Sequence, residues 1–313
     1  MVRIAERSGD FVEYVTELEK LCFEQDSNLY RVPTPSQLAT FAALASTLLS
    51  GSITDLAQQA DAIGYCLIKY ADIPSGLVFY GLEAKLVDSK PTHGWGSYFL
   101  NRSYTSKALI EAPHPSFDRY TPEMAARIFR ESRSKGFLLA GTHRYSNGRD
   151  PSNKDFADVA HVKESIFQEV HKVWIGSTDS VVTFQIHGYK ASNSSHHKIP
   201  LGVNFIISNG DGSLSNEVLT LDRLLEDKGF DARAYNTLSV KDPRNIQVNG
   251  VGVSGDTFES LRATSNIQGQ YSRSLKKTFV HIEIESKVRS NSEQRNLAAD
   301  IIAQAILNSA SID

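Results

Sequence analysis

Only two cysteines, Cys22 and Cys66, occur in this chain of 313 residues, far apart and without a CxxC. A disulfide framework and a cysteine-rich zinc site are thereby excluded. No run of about 18 apolar residues is present to cross a bilayer. The opening MVRIAERSGDFVEYVTELEK scatters charge where an export signal needs an apolar stretch. The expectation is a cytoplasmic protein as written, or a secreted or periplasmic one if a signal peptide has been removed. Net charge is only −3 with lysine and arginine dispersed, so neither nucleic acid nor a membrane surface is an expected partner. NGDGSLSN and GVGVSGD match neither GxGxxG nor GxxxxGK[ST], which removes the common nucleotide loops. There is no GxSxG elbow for a serine nucleophile and no HExxH.

What is present is apolar material, 41% of residues, sufficient for one substantial core. Helical spacing marks Asp10 to Phe23, Pro35 to Leu49 with Thr34 as cap, and Ser52 to Tyr70 with Gly64 interrupting it. Leu77 to Leu86 alternates as a strand, and GWGSYFLN turns into another. From ALIEAP onward strands and helices alternate. TPEMAARIFRESRSKG reads as a helix capped by Thr121 and ended by Gly136, FLLAGTHR as a strand, and Asp155 to Trp174 as a helix. VVTFQIHGY and VNFIISNG are strands, Asn216 to Gly229 a helix, FVHIEIE a late central strand, and Ser292 to Asn308 the closing helix. The pattern predicts an α/β fold, a three-layer α/β/α arrangement around a mixed, mainly parallel sheet. Residues 1–100 are expected to form a helical segment with short strands packed on the core, and 101–313 the α/β domain. Lys241 to Gln270, rich in Asn, Gly and Ser, is the longest loop-like stretch.

In open α/β sheets ligands collect beyond the carboxyl ends of the strands, where this reading places His114, His143, His187 and Glu283. Imidazole nitrogens with a carboxylate oxygen suit Zn²⁺, and catalytic zinc sites use about three protein ligands. ALIEAPHPSFDRYTPEMAARIF carries His114, Asp118 and Glu123 from a strand end into a helix; a second His closes FQIHGY. The expected ligands are His114, Glu123 and His187, with Asp118 as the competing carboxylate. Period-two alternation puts His281, Glu283 and Glu285 on one face of FVHIEIE. Glu283 is the candidate general base, and Glu285 is free to pair with Arg289 or another base. GTHRYSNGRDPSN supplies His143, Arg144 and Arg149 for a substrate carboxylate or an oxyanion, and ATSNIQGQYSR offers Asn266, Gln268 and Arg273 for polar substrate contact. Asp158 and His161 share a helical face at i,i+3 with His171 beyond; His196 and His197 read as surface residues.

APHPSFDRYTPEMA, FQIHGY and FVHIEIESKVR together resemble zinc-dependent amidohydrolases and carboxypeptidases, particularly N-formylglutamate amidohydrolase-like proteins and zinc cell-wall amidases. The resemblance spans roughly Ala108 to Arg289 and departs from the HxxE pattern, since Phe117 stands three after His114. It implies a phosphorylase/hydrolase-like fold and a single-zinc enzyme cleaving an amide or peptide bond in a small acylated amino acid, peptide or peptidoglycan fragment. A late-strand Glu handles protons in such enzymes. The alternative is a non-catalytic ligand-binding protein that keeps the fold.

Overall fold

The computed structural model describes residues 3–51, 53, 55–177, 180–191, 202–237, 246–248, 251–253, 255–256 and 261–310. His196, His197 and part of the Lys241 to Gln270 loop lie outside them.

The first part of the chain forms β1 (Ala5–Gly9), α1 (Phe11–Glu19), α2 (Pro35–Ser50), α3 (Leu56–Ala62), β2 (Tyr65–Asp72) and β3 (Val78–Ala84), then a small hairpin of β4 (Leu86–Val87) and β5 (Lys90–Pro91), and β6 (Ser97–Asn101). There follow β7 (Ser106–Ala112), α4 (Thr121–Glu131), β8 (Ser134–Leu139), α5 (Ile166–Gly176), β9 (Thr183–Tyr189), β10 (Phe205–Ser208), α6 (Asn216–Asp227) and β11 (Ala232–Tyr235). Last come β12 (Ile246–Val248), β13 (Val251–Val253), β14 (Gly255–Asp256), α7 (Ile267–Ser274), β15 (Phe279–Glu285), α8 (Ser286–Ser290) and α9 (Ser292–Ala310).

Eleven strands join one sheet in the order β1-β2-β3-β6-β8-β7-β9-β15-β10-β11-β14. The central β8, β7, β9 and β15 all run parallel, with antiparallel β6 and β10 on either side. Four neighbouring carboxyl ends therefore open on one edge, which is where the site lies. The sheet crosses position 100 without a break, because β6 sits between β3 and β8; the division at that residue falls inside one sheet.

Alternation sends side chains to two faces, and each face is covered. Ile110, Phe137, Phe184 and Ile282 pack with the α4 and α9 residues Met124, Phe129, Ile302 and Ile306. Leu109 and Leu138 pack on the other side with Phe41 and Leu44 of α2 and with Phe167 and Trp174 of α5. The molecule is a three-layer α/β/α fold around a mixed, mainly parallel sheet.

Local chemistry explains most element ends. Asp10 caps α1 by accepting from Val12 N, and Thr34 and Gln37 close a capping box at α2. Three sequence expectations are corrected. The helical stretch Ser52 to Tyr70 stops near Gly64, whose φ of +77° ends it, and Tyr65 to Asp72 is the strand β2. Gly136 does not end α4, which stops at Glu131; it lies inside β8, where Trp174 and Leu109 press on its backbone. The helix expected from Asp155 starts only at Ile166, capped by Ser165, because Asp158 turns the preceding chain by accepting from Ala160 N.

A Cβ at position 136 would lie 2.8 Å from both Leu109 Cδ2 and Trp174 Cε3. Gly136→Ala should therefore destabilise the protein by about 1–3 kcal/mol, although alanine suits a strand better than glycine. Urea unfolding of the two proteins checks this, and equal midpoints would refute the overpacking.

Candidate metal centre

His114 leaves the end of β7 between two prolines, and a tight turn follows in which Asp118 N donates to His114 O at 2.8 Å. The turn brings Asp118 beside His187, the fifth residue of β9. Asp118 Oδ2 lies 3.3 Å from His114 Nδ1 and 3.4 Å from His187 Nδ1. All three side chains are buried, and their ligand atoms fall within 4.8 Å of one another. Arg289 holds the frame. It donates to Ile284 O at 3.0 Å, Tyr189 O at 3.2 Å and Arg119 O, tying the ends of β15 and β9 to the Asp118 turn. Its guanidinium passes over Gly188, where a Cβ would lie 2.3 Å from Arg289 Cζ.

The outer nitrogens of both rings are already bonded. His114 Nε2 lies 2.8 Å from Asp158 Oδ1 and His187 Nε2 lies 2.7 Å from Gln185 Oε1, both acceptors, so each Nε2 carries hydrogen. With neutral rings, two Nδ1 lone pairs then face one carboxylate oxygen: three acceptors with no hydrogen among them. The cluster demands a positive charge. Burial disfavours a charged His114, yet Asp158 and the bonds to both aspartates outweigh it and lift the ring to about 9. Burial also works against the Asp118 charge, but its bond to the charged His114 holds it well below the usual carboxylate range. A metal cation answers the same demand as that proton, and two nitrogens with one carboxylate oxygen are a donor set suited to zinc.

Two overlapping groups fit a cation less well. In His114, Asp158 and His161, the aspartate is neutralised by Arg144 and also faces His161 Nδ1 at 3.1 Å. In His187, His281 and Glu283, the two rings lie 4.3 Å apart at 36°, nearer to stacking than to converging. Burial, then His187, pushes His281 well below the ordinary histidine range. Glu283 stands opposite His187 in the β9–β15 register. Burial and then repulsion by Asp118 push its carboxyl up to about 8, and its Oε2 is buried without a hydrogen-bond partner among the described residues.

The other expected site residues divide clearly. Glu123 does not join the histidines: it projects from the first turn of α4 toward α9 and accepts from Arg295 Nε at 3.0 Å. Asp118, the competing carboxylate, stands where Glu123 was expected. Arg144 reaches the cleft but is committed to Asp158 and lies 5.2 Å over the Phe117 ring, while Arg149 lies 4.9 Å over Tyr145. His143 accepts from Tyr145 N at 3.0 Å and packs its ring 5.4 Å from Phe117. Asn266 and Gln268 are buried and bonded to protein groups, Asn266 at the border of the cleft, and Arg273 donates to Asn209 O at 2.7 Å. Glu285 pairs not with Arg289 but with Lys287 N at 2.5 Å, capping α8. His171 is remote from the metal cluster, buried on Glu111 at 2.7 Å.

Sequence reasoning missed Gln185 and Glu111 altogether, and Asp158 as the group that orients His114. The available signal was a polar residue two before His187 on the same strand face, in a strand otherwise apolar enough to be buried.

Above this cluster lies a cleft of about 320 Å³, bounded by His114, Arg144, His161, His187, Arg262 and Glu283 among others. Among the described residues no helix is long and apolar enough to cross a membrane.

No protein-family model matches the chain, and no curated protein does. Solved structures do. An N-formylglutamate amidohydrolase from Ralstonia eutropha is 11% identical, covering 68% of this chain and 96% of its own, with a TM-score of 0.42. A metallo-carboxypeptidase from Burkholderia cenocepacia is 11% identical over 90% of this chain and 70% of its own, TM-score 0.43. A succinylglutamate desuccinylase from Silicibacter is 11% identical over 74% and 66%, TM-score 0.37. Such values give no residue correspondence, and the chemistry below comes from this chain's own geometry.

Proposed function

We propose that the protein is a metal-dependent hydrolase of amide or peptide bonds, with zinc held by His114, Asp118 and His187. The observation that carries this reading is the convergence of two buried imidazole nitrogens on one buried carboxylate oxygen, a point whose charge is balanced by a proton or by a cation. When bound, such an ion supplies Lewis-acid polarisation of a carbonyl and a more acidic water.

The protein's own groups supply the rest. Glu283 borders the cleft and is buried with one oxygen unpartnered among the described residues, which suits a group that takes a proton from water and returns it to a leaving amine. Asp158 and Gln185 hold the two histidines from behind, which keeps the Nδ1 atoms aimed at Asp118. A cleft of about 320 Å³ is at the small end for ligand sites and favours an acylated amino acid, or the end of a peptide or peptidoglycan stem, over a long polymer. Arg262 gives its wall positive charge for an acidic group, Arg144 being held by Asp158.

Untagged protein should carry about one zinc per chain, the number that one closed ligand set can hold. His114→Ala, His187→Ala and Asp118→Asn should each lose it, while Glu123→Gln keeps it; elemental analysis of the purified proteins decides. Retention of zinc by Asp118→Asn together with its loss from Glu123→Gln would reverse the ligand assignment. A protein that takes up no zinc would favour the non-catalytic binding reading.

Glu283→Gln should keep the metal and lower kcat by about 10²–10⁴-fold on a panel of N-acyl amino acids and short peptides. Turnover at the unaltered rate would remove Glu283 from the mechanism.

A further inference from the structure

Behind His187 the polar face of the sheet continues into the interior. Gln185, two residues earlier on β9, accepts His187 Nε2–H on its Oε1 at 2.7 Å. That oxygen also accepts from Asn266 Nδ2 at 2.5 Å. Asn266 has no freedom to invert, because its own carbonyl oxygen caps α7 by accepting Gly269 N at 2.9 Å. On the other side Gln185 Nε2 donates to Glu111 Oε2 at 2.9 Å and to Gln268 Oε1 at 3.2 Å. Glu111 is wholly buried in β7, and its second oxygen lies 2.7 Å from His171 Nδ1. An ionised carboxylate accepts and never donates. Together with the fixed Asn266 amide it sets the direction of each hydrogen along the chain from Glu111 through Gln185 to His187.

We propose that Glu111 is a positioning residue for the metal centre: acting through the Gln185 amide, it decides which nitrogen of His187 carries hydrogen and leaves Nδ1 bare toward Asp118. The inference rests on the metal-site reading above. Were the Gln185 amide inverted, its NH₂ would meet Nε2, and His187 would have to place its hydrogen on Nδ1, where the ligand lone pair is required. His187 turns Nε2 to the Gln185 oxygen and Nδ1 to Asp118, so the Gln185 amide faces one of its two nitrogens and the proposed ligand position is the other. Glu111 reaches neither the cleft nor Asp118; its whole influence passes through one side chain.

The test reads the tautomer and the metal separately. In metal-free protein, long-range ¹⁵N NMR of His187 should find hydrogen on Nε2 and none on Nδ1; hydrogen on Nδ1 of the unaltered protein overturns the proposal. Glu111→Gln keeps shape but removes the carboxylate that can only accept from the Gln185 amide, leaving Asn266 and Gln268 alone to hold that amide, so His187 should gain a share of the Nδ1–H tautomer. Its Zn²⁺ dissociation constant, measured by chelator competition, should rise about 10–100-fold, the usual cost of losing a group that orients a ligand. A single Nε2–H tautomer with unchanged Zn²⁺ affinity in Glu111→Gln overturns the proposal. Should that variant not fold, Gln185→Leu breaks the same chain at its other link, and unaltered Zn²⁺ affinity there is equally fatal. Wild-type protein that binds no Zn²⁺ but shows an Nε2–H responsive to Glu111→Gln would sustain the relay and discard the metal reading.

Discussion

A buried carboxylate facing two imidazole nitrogens is the constraint on which the site depends. Asp118 is out of water, and its negative charge persists only because positive charge is supplied within hydrogen-bond range. Asp158 repeats the requirement on the far side of His114, with Arg144 as its counter-charge. Two buried carboxylates thus share one histidine and one arginine, and the balance is met by a proton or by a metal ion at the same point.

The sheet makes this arrangement reproducible. Parallel pairing of β7, β9 and β15 places His187 opposite Glu283 and brings the turn after β7 alongside them. Arg289 then ties both strand ends to the Asp118 turn through three backbone carbonyls, so the loop that supplies two of the three proposed ligands is fastened to the strand that supplies the third. Gly188 leaves the space that arginine occupies. The opposite, apolar faces of the same strands are packed against α4 and α9, which keeps water from the sheet on that side and leaves one polar face to be satisfied internally.

That polar face is where side-chain identity could be misread. Asn266 and Gln268 sit in a loop-like, polar stretch, the usual setting for substrate contacts. In the fold they close over β9 and satisfy Gln185 and Gln168, because a buried amide must find partners and the sheet presents them. Glu123 was misread for a related reason. A carboxylate in the first turn of a helix looks equally suited to a metal or to the helix end, and the deciding partner, Arg295, lies on α9 far along the chain.

The sequence by itself determined the alternation of strands and helices after β7, the cap of α2, and the delivery of His114, His187 and Glu283 to carboxyl ends of parallel strands. These follow from periodicity and from groups only a few residues apart, whose energetics are local. Only the tertiary structure decided that Asp118 and not Glu123 faces the histidines, that Arg144 is held by Asp158, and that Glu111 and Gln185 stand behind His187. Each of those outcomes depends on which strand lies beside which and on buried polar groups finding partners tens of residues away, and no local spacing carries that information.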